Sequence, residues 1–140
     1  MKKIVIYLII FILMPIIISS KEKTISVKEM LLTGPSEIKL HSLAMITQGK
    51  INDDLDESYI DAFIVCSKEK YIPIRITTAK ILGKYYVKNK EVVNIEVINI
   101  LKNLARDENL DVSNAAIHEG LVFVINKDNE IKEILNTYIK

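Results

Sequence analysis

The chain has 140 residues, of which 49% are hydrophobic, 26% charged and 6% aromatic, with a formal net charge of +1. That length suits one small domain. Four glycines, three prolines and one cysteine beside 26 isoleucines exclude a collagen, a disulfide scaffold and a wholly disordered chain.

The chain opens with a basic head, Met1-Lys2-Lys3, and continues with the apolar run from Ile4 to Ile18. Ser19-Ser20 follows, then the polar Lys21-Glu22-Lys23. Basic, apolar, small is the order of an export signal. As a helix the run would span roughly 22 Å, short of a bilayer's ~30 Å core. Cleavage after Ser20 would export residues 21–140 to the periplasm or the exterior. The alternatives are an uncleaved anchor, with residues 4–18 in the cytoplasmic membrane, and a buried cytosolic helix. No cysteine lies nearby, so an acyl-anchored lipoprotein is not expected. With Lys2 and Lys3 set aside, residues 21–140 carry 17 Lys and Arg against 18 Asp and Glu. Nucleic-acid binding needs a dense basic footprint and is disfavoured.

After the head the pattern is helical throughout. Breaks fall at Gly34-Pro35, 49–53, 70–73, 88–90, 107–109 and 127–129. Between them apolar residues recur at three and four. Leu55, Tyr59, Ala62, Phe63 and Cys66 form one stripe, and Ile74, Thr78, Ile81, Leu82 and Tyr85 a second. Val93, Val97, Leu101 and Leu104 form a third, and Ile131, Ile134, Leu135 and Tyr138 the last. Ser26 before Glu29 and Asp54 before Glu57 read as capping boxes. Pro73 suits a first helical turn, and Gly49 a left-handed cap. Seven helices are predicted, at about 26–33, 36–48, 54–67, 73–88, 91–105, 110–126 and 129–139. The helix at 91–105 is apolar nearly all round and is expected to be the most buried outer helix. Cys66, the only cysteine, reads as a buried small hydrophobe.

Three segments resemble one another. Ile38-Lys39-Leu40-His41-Ser42 and Ile74-Arg75-Ile76-Thr77-Thr78 both run aliphatic, basic, and small four residues on. Val112-Ser113-Asn114-Ala115-Ala116 keeps the aliphatic and the small residue but has Ser113 for the cation, and Gly120 falls where an aliphatic belongs. The unit is a helical hairpin of 36 to 38 residues. Small residues let second helices approach closely, and stacking buries stripes that no hairpin buries alone.

Ile74-Arg75-Ile76-Thr77-Thr78-Ala79-Lys80-Ile81-Leu82-Gly83 resembles the second-helix signature of a HEAT repeat. Leu110-Asp111-Val112-Ser113-Asn114-Ala115-Ala116 resembles the same signature entered from its acidic turn. The resemblance spans roughly residues 26–139. It implies an all-α chain: a short right-handed α-solenoid of about three stacked antiparallel hairpins plus a C-terminal capping helix. Residues 1–20 would be a signal peptide or membrane anchor, and 21–140 the repeat domain. The resemblance also implies a scaffold that binds other proteins, and a cation at Arg75 facing acids of an adjoining turn, Asp107 or Asp111. As a partly exposed pair this is expected to contribute ~0–1 kcal/mol.

The acids of Asn52-Asp53-Asp54-Leu55-Asp56-Glu57 read as helix-start residues, since a calcium loop's central Gly and distant Glu are missing. His41 and His118 have no Cys or acid at zinc-ligand spacing. In Lys84-Tyr85-Tyr86, Tyr85 continues a core stripe. No nucleophile–base pair, Gly-rich phosphate loop or paired carboxylates stand out, so no enzyme, cofactor or metal is expected. The expected function is protein binding through the second-helix face, with Lys39, His41, Arg75, Lys84, Asn114 and His118 as contact candidates. Membrane contact is expected only if residues 1–20 are retained. The outer helices, or the terminal hairpin with Tyr138 and Ile139, are the alternative surface.

Overall fold

The computed structural model describes residues 25–51, 55–88, 90–127 and 129–138. The signal or anchor reading of residues 1–20, Asp54 as a helix start, and Ile139 lie outside them.

Among the described residues every regular element is helical: α1 (Val27–Thr33), α2 (Ser36–Thr47), α3 (Ile60–Ser67), α4 (Ile72–Ile81), α5 (Ile95–Ala105), α6 (Leu110–Glu119) and α7 (Asn129–Tyr138). A 3₁₀ turn, Glu57–Tyr59, leads into α3, and a π-helical segment, Leu82–Val87, continues α4. A second 3₁₀ segment, Leu121–Lys127, follows α6. No described helix is long and apolar enough to cross a membrane.

Local chemistry accounts for most boundaries. The Ser26 hydroxyl accepts from the Glu29 N–H at 3.1 Å and starts α1. Gly49 takes φ +66° just past α2, a left-handed turn that glycine adopts without a Cβ penalty. Pro73 lies in the first turn of α4, where its missing N–H has no helical partner to lose. Asn109 starts α6 by accepting from the N–H groups of Asp111 and Val112.

Three boundaries depart from the sequence expectation. The helix expected at 91–105 begins at Ile95, because the Asn94 carboxamide accepts from the Glu96 N–H and caps it there. Val92 is consequently 86% exposed and Ile95 is exposed too, so only the later part of this helix is the buried element expected. The helix expected over 110–126 is α-helical only to Glu119, since Gly120 sits against the Leu101 side chain and the chain tightens to 3₁₀ beyond it. At the other start, the described helical structure begins at Glu57 instead of 54, with the Asp56 carboxylate accepting from the Ser58 N–H at 2.9 Å.

Consecutive helices pack in pairs: α1 on α2, α3 on α4 and α5 on α6. The odd-numbered helices also touch in chain order, α1 to α3 to α5, and so do the even-numbered ones, α2 to α4 to α6. The C-terminal α7 covers the second 3₁₀ segment and reaches α5. Lys102 of α5 and Arg106 just past its end both donate to the Glu130 carboxylate at 2.5 Å, fastening α7. One hydrophobic core runs through all of these helices. Leu31, Leu43, Phe63, Ile74, Leu101, Leu121 and Ile131 are all solvent-inaccessible. The three small residues Ser42, Thr78 and Ala116 are also buried. Cys66 is buried as expected.

Candidate functional site

The even-numbered helices carry two sets of polar residues, one at their starts and one along their open face. At the starts, the cation four residues into α2, Lys39, pairs with Glu69, which lies in the link between α3 and α4. The same position of α4 holds Arg75, which pairs with Asp107 in the link between α5 and α6. Arg75 donates from Nε and Nη2 to both Asp107 oxygens at 2.7 and 2.9 Å, the forked geometry of a strong guanidinium–carboxylate pair. Its Nη1 also donates to the Glu69 and Lys70 carbonyls at 2.7 and 3.1 Å. The guanidinium hydrogen bonds hold the Asp107 carboxyl below the usual carboxylate range and push Arg75 up. At the equivalent position of α6 there is no cation. The Ser113 hydroxyl donates instead to the Ala105 carbonyl, tying α6 back to α5 at 2.5 Å.

A cleft of roughly 710 Å³ lies along these links, lined by Lys68, Glu69, Arg75, Asp107 and Asn109 among others. A second hollow of roughly 740 Å³ lies at the start of α2, lined by Glu37, Leu40, His41, Ala44 and Tyr71.

The open face follows from helical spacing. Lys80 of α4 and Lys84 of the π segment that continues it are exposed four residues apart. On α6, Asp111, Asn114 and His118 are exposed at steps of three and four. On α2, Glu37, His41 and Gln48 are exposed. Gly83 brings two of these rows together, because α4 meets α6 so closely there that a Cβ on Gly83 would fall 2.0 Å from the Glu119 carbonyl oxygen. Two tyrosines fasten the neighbouring turn. The Tyr85 hydroxyl donates to the Ile46 carbonyl at 3.2 Å, and Tyr86 to the Asp56 carbonyl at 2.9 Å. Burial pushes the Tyr86 hydroxyl's pKa well up, so it stays a donor.

The six contact candidates separate into two groups. His41, Lys84, Asn114 and His118 are exposed. Lys39 is buried against Glu69, and Arg75 is largely covered by its partners, so both sit at the helix starts away from free solvent. Asp107, and not Asp111, takes Arg75. Two residues were missed by sequence reasoning. Glu69 stands to Lys39 much as Asp107 stands to Arg75, 30 and 32 residues on, so the similarity of the two segments was the signal that could have found it. Lys80 was legible in principle, one turn before Lys84 on the same helix. Among the described residues no three His, Cys, Asp or Glu side chains converge to hold a metal ion.

No protein-family model, curated protein or solved structure matches this chain.

Proposed function

We propose that this chain is an exported protein–protein interaction module, which binds a protein partner through the open face of α2, α4 and α6 and performs no chemistry of its own. In this reading its helix pairs are HEAT-like hairpins stacked into a short right-handed α-solenoid with α7 as the terminal cap. The observation that carries the reading is the repeated pair. Lys39–Glu69 and Arg75–Asp107 join a second helix to the link of the following hairpin, with the cations 36 and the acids 38 residues apart. Such spacing supports a stack built from one unit, and a stack presents side chains in register along one surface. The basic head, apolar run and Ser19-Ser20 support export. The apolar run also favours a second reading, a membrane-tethered structural protein that keeps residues 1–20. The N-terminal sequence of protein from its native host separates the two.

The binding claim is tested with a photo-crosslinking amino acid placed singly at His41, Asn114 and His118, and at Asp61 and Asn99 on the outer helices. Crosslinks to one and the same protein from the first set, with none from the second, are expected. Crosslinks only from Asp61 and Asn99 would overturn the inner-face assignment.

A further inference from the structure

The open face is electrically divided. Glu37 and Asp111 are exposed in the first turns of α2 and α6. Further along, Lys80 projects from α4 and Lys84 from the π segment, with Lys88 just past it. Gly83 lies against the Glu119 backbone; Lys84 directly follows the one and the exposed His118 directly precedes the other. Lys80, Lys84 and His118 are all exposed on the two segments that meet at Gly83 and Glu119.

Glu119, next to His118 in the chain, is already held by Lys88 Nζ at 3.1 Å. Lys84 Nζ rests over the Tyr85 ring, 4.7 Å from its centroid. No carboxylate of the described residues is paired with Lys80 or Lys84. The other two cations of these helices, Lys39 and Arg75, are each satisfied by an acid of this chain. The second half of the face therefore holds uncompensated positive charge, which would attract a complementary surface.

We propose that this patch receives a short acidic segment of the protein partner, whose carboxylates meet Lys80 and Lys84 and accept from the His118 imidazole. The proposal rests on the inner-face reading and specifies what docks there. The division of charge argues for a short segment. A long polyanion or an anionic membrane lying across the whole face would also meet Glu37 and Asp111. A few carboxylates confined to the α4–α6 seam avoid both.

The test uses the full 140-residue chain in a non-ionic detergent. The probe is a fluorescent peptide with a run of glutamates, alongside the same peptide with glutamines. Single-stranded oligonucleotide and phosphatidylglycerol vesicles are the competing probes. The glutamate peptide should bind and the glutamine peptide should not. The double variant Lys80→Glu/Lys84→Glu should weaken glutamate-peptide binding by about tenfold or more. Lys68→Glu/Lys132→Glu, which changes the net charge equally at exposed sites elsewhere, should leave binding as in the wild type. Equal weakening in both double variants, no binding of the glutamate peptide, or tighter binding of oligonucleotide or vesicles each overturns the proposal. Should the glutamate double variant fail to fold, Lys80→Gln/Lys84→Gln decides, and unchanged binding in it counts against the proposal. Persistent inner-face crosslinks without acidic-peptide binding would reject the acidic segment alone, whereas crosslinks confined to the outer helices would reject the parent reading.

Discussion

Arg75 illustrates how much a residue's worth depends on its surroundings. A partly exposed ion pair contributes little, and that was the sequence expectation. In the structure the Arg75 and Asp107 side chains are only 11% and 13% exposed, and Arg75 also satisfies two backbone carbonyls. Removing the guanidinium leaves a carboxylate and those carbonyls short of a donor. Arg75→Ala should cost about 1–3 kcal/mol, above an exposed pair and below a fully buried one beside which no water can move in. A urea midpoint measures it, and a wild-type midpoint would contradict the value assigned to the pair. The same pair carries a pH signature. Asp107 has a folded pKa below its ordinary value, so its ionisation stabilises the fold fully above about pH 4 and that contribution is lost as pH falls through the folded value. The stability gap between wild type and Asp107→Asn should be constant from neutrality down to about pH 5 and shrink in more acid solution. Urea titrations across that range are the check, and a gap that widens in acid would reverse the sign. Cys66 yields a second expectation. Burial pushes its thiol up to about 12, and its Sγ lies 3.7 Å from the Leu31 carbonyl oxygen. A thiol-specific reagent at neutral pH should label the native protein only as fast as it opens, and the urea-unfolded protein at once. Equal rates would mean that α1 and α3 separate readily.

At the scale of the element, the π segment after α4 decides how α4 meets α6. The Lys88 N–H bonds to the Gly83 carbonyl at 2.9 Å, five residues back, so the turn is wider than an α-helical one. It carries Gly83 against the Glu119 backbone and Tyr86 toward the Phe63 ring. A methyl group on Gly83 would strike backbone, which cannot rotate away. A methyl group on Gly120 would meet chiefly the Leu101 methyls, at 2.7 and 2.9 Å, at the end of a flexible side chain. Gly83→Ala should therefore cost about 3 kcal/mol or more and Gly120→Ala roughly half of that. Thermal midpoints of the two variants give the order directly, and the reverse order would show that α4 and α6 can part more easily than Leu101 can turn.

For the whole molecule, the continuous core predicts that the described helices unfold together. Phe63 is inaccessible to solvent and meets the Tyr59 ring at 6.3 Å and the Tyr86 ring edge-on at 5.8 Å, joining the third helix to the turn after the fourth. Phe63→Ala should cost about 3–5 kcal/mol, a large share of the ~5–15 kcal/mol that holds an ordinary domain folded. Helical circular dichroism and tyrosine fluorescence should lose their signals at one shared, lowered midpoint. Separate midpoints would mean that the helix pairs melt individually.

Much of this arrangement was readable along the chain because its causes are local. A Ser26 hydroxyl two peptide planes from the N–H it caps, a glycine past the end of α2, and apolar residues at three and four all act within one or two turns. The burial of Ser42, Thr78 and Ala116 was legible for a related reason, since each is a small residue four positions after an aliphatic one in three similar segments. The rest depended on what lay opposite. Gly120 broke α6 where it met Leu101. Lys39 proved to be satisfied by Glu69, and Gly83 met the Glu119 backbone. The Lys39–Glu69 and Arg75–Asp107 pairs join residues 30 and 32 positions apart. Their formation is governed by the angle and depth at which helices pack, and one helix's own sequence carries no record of either.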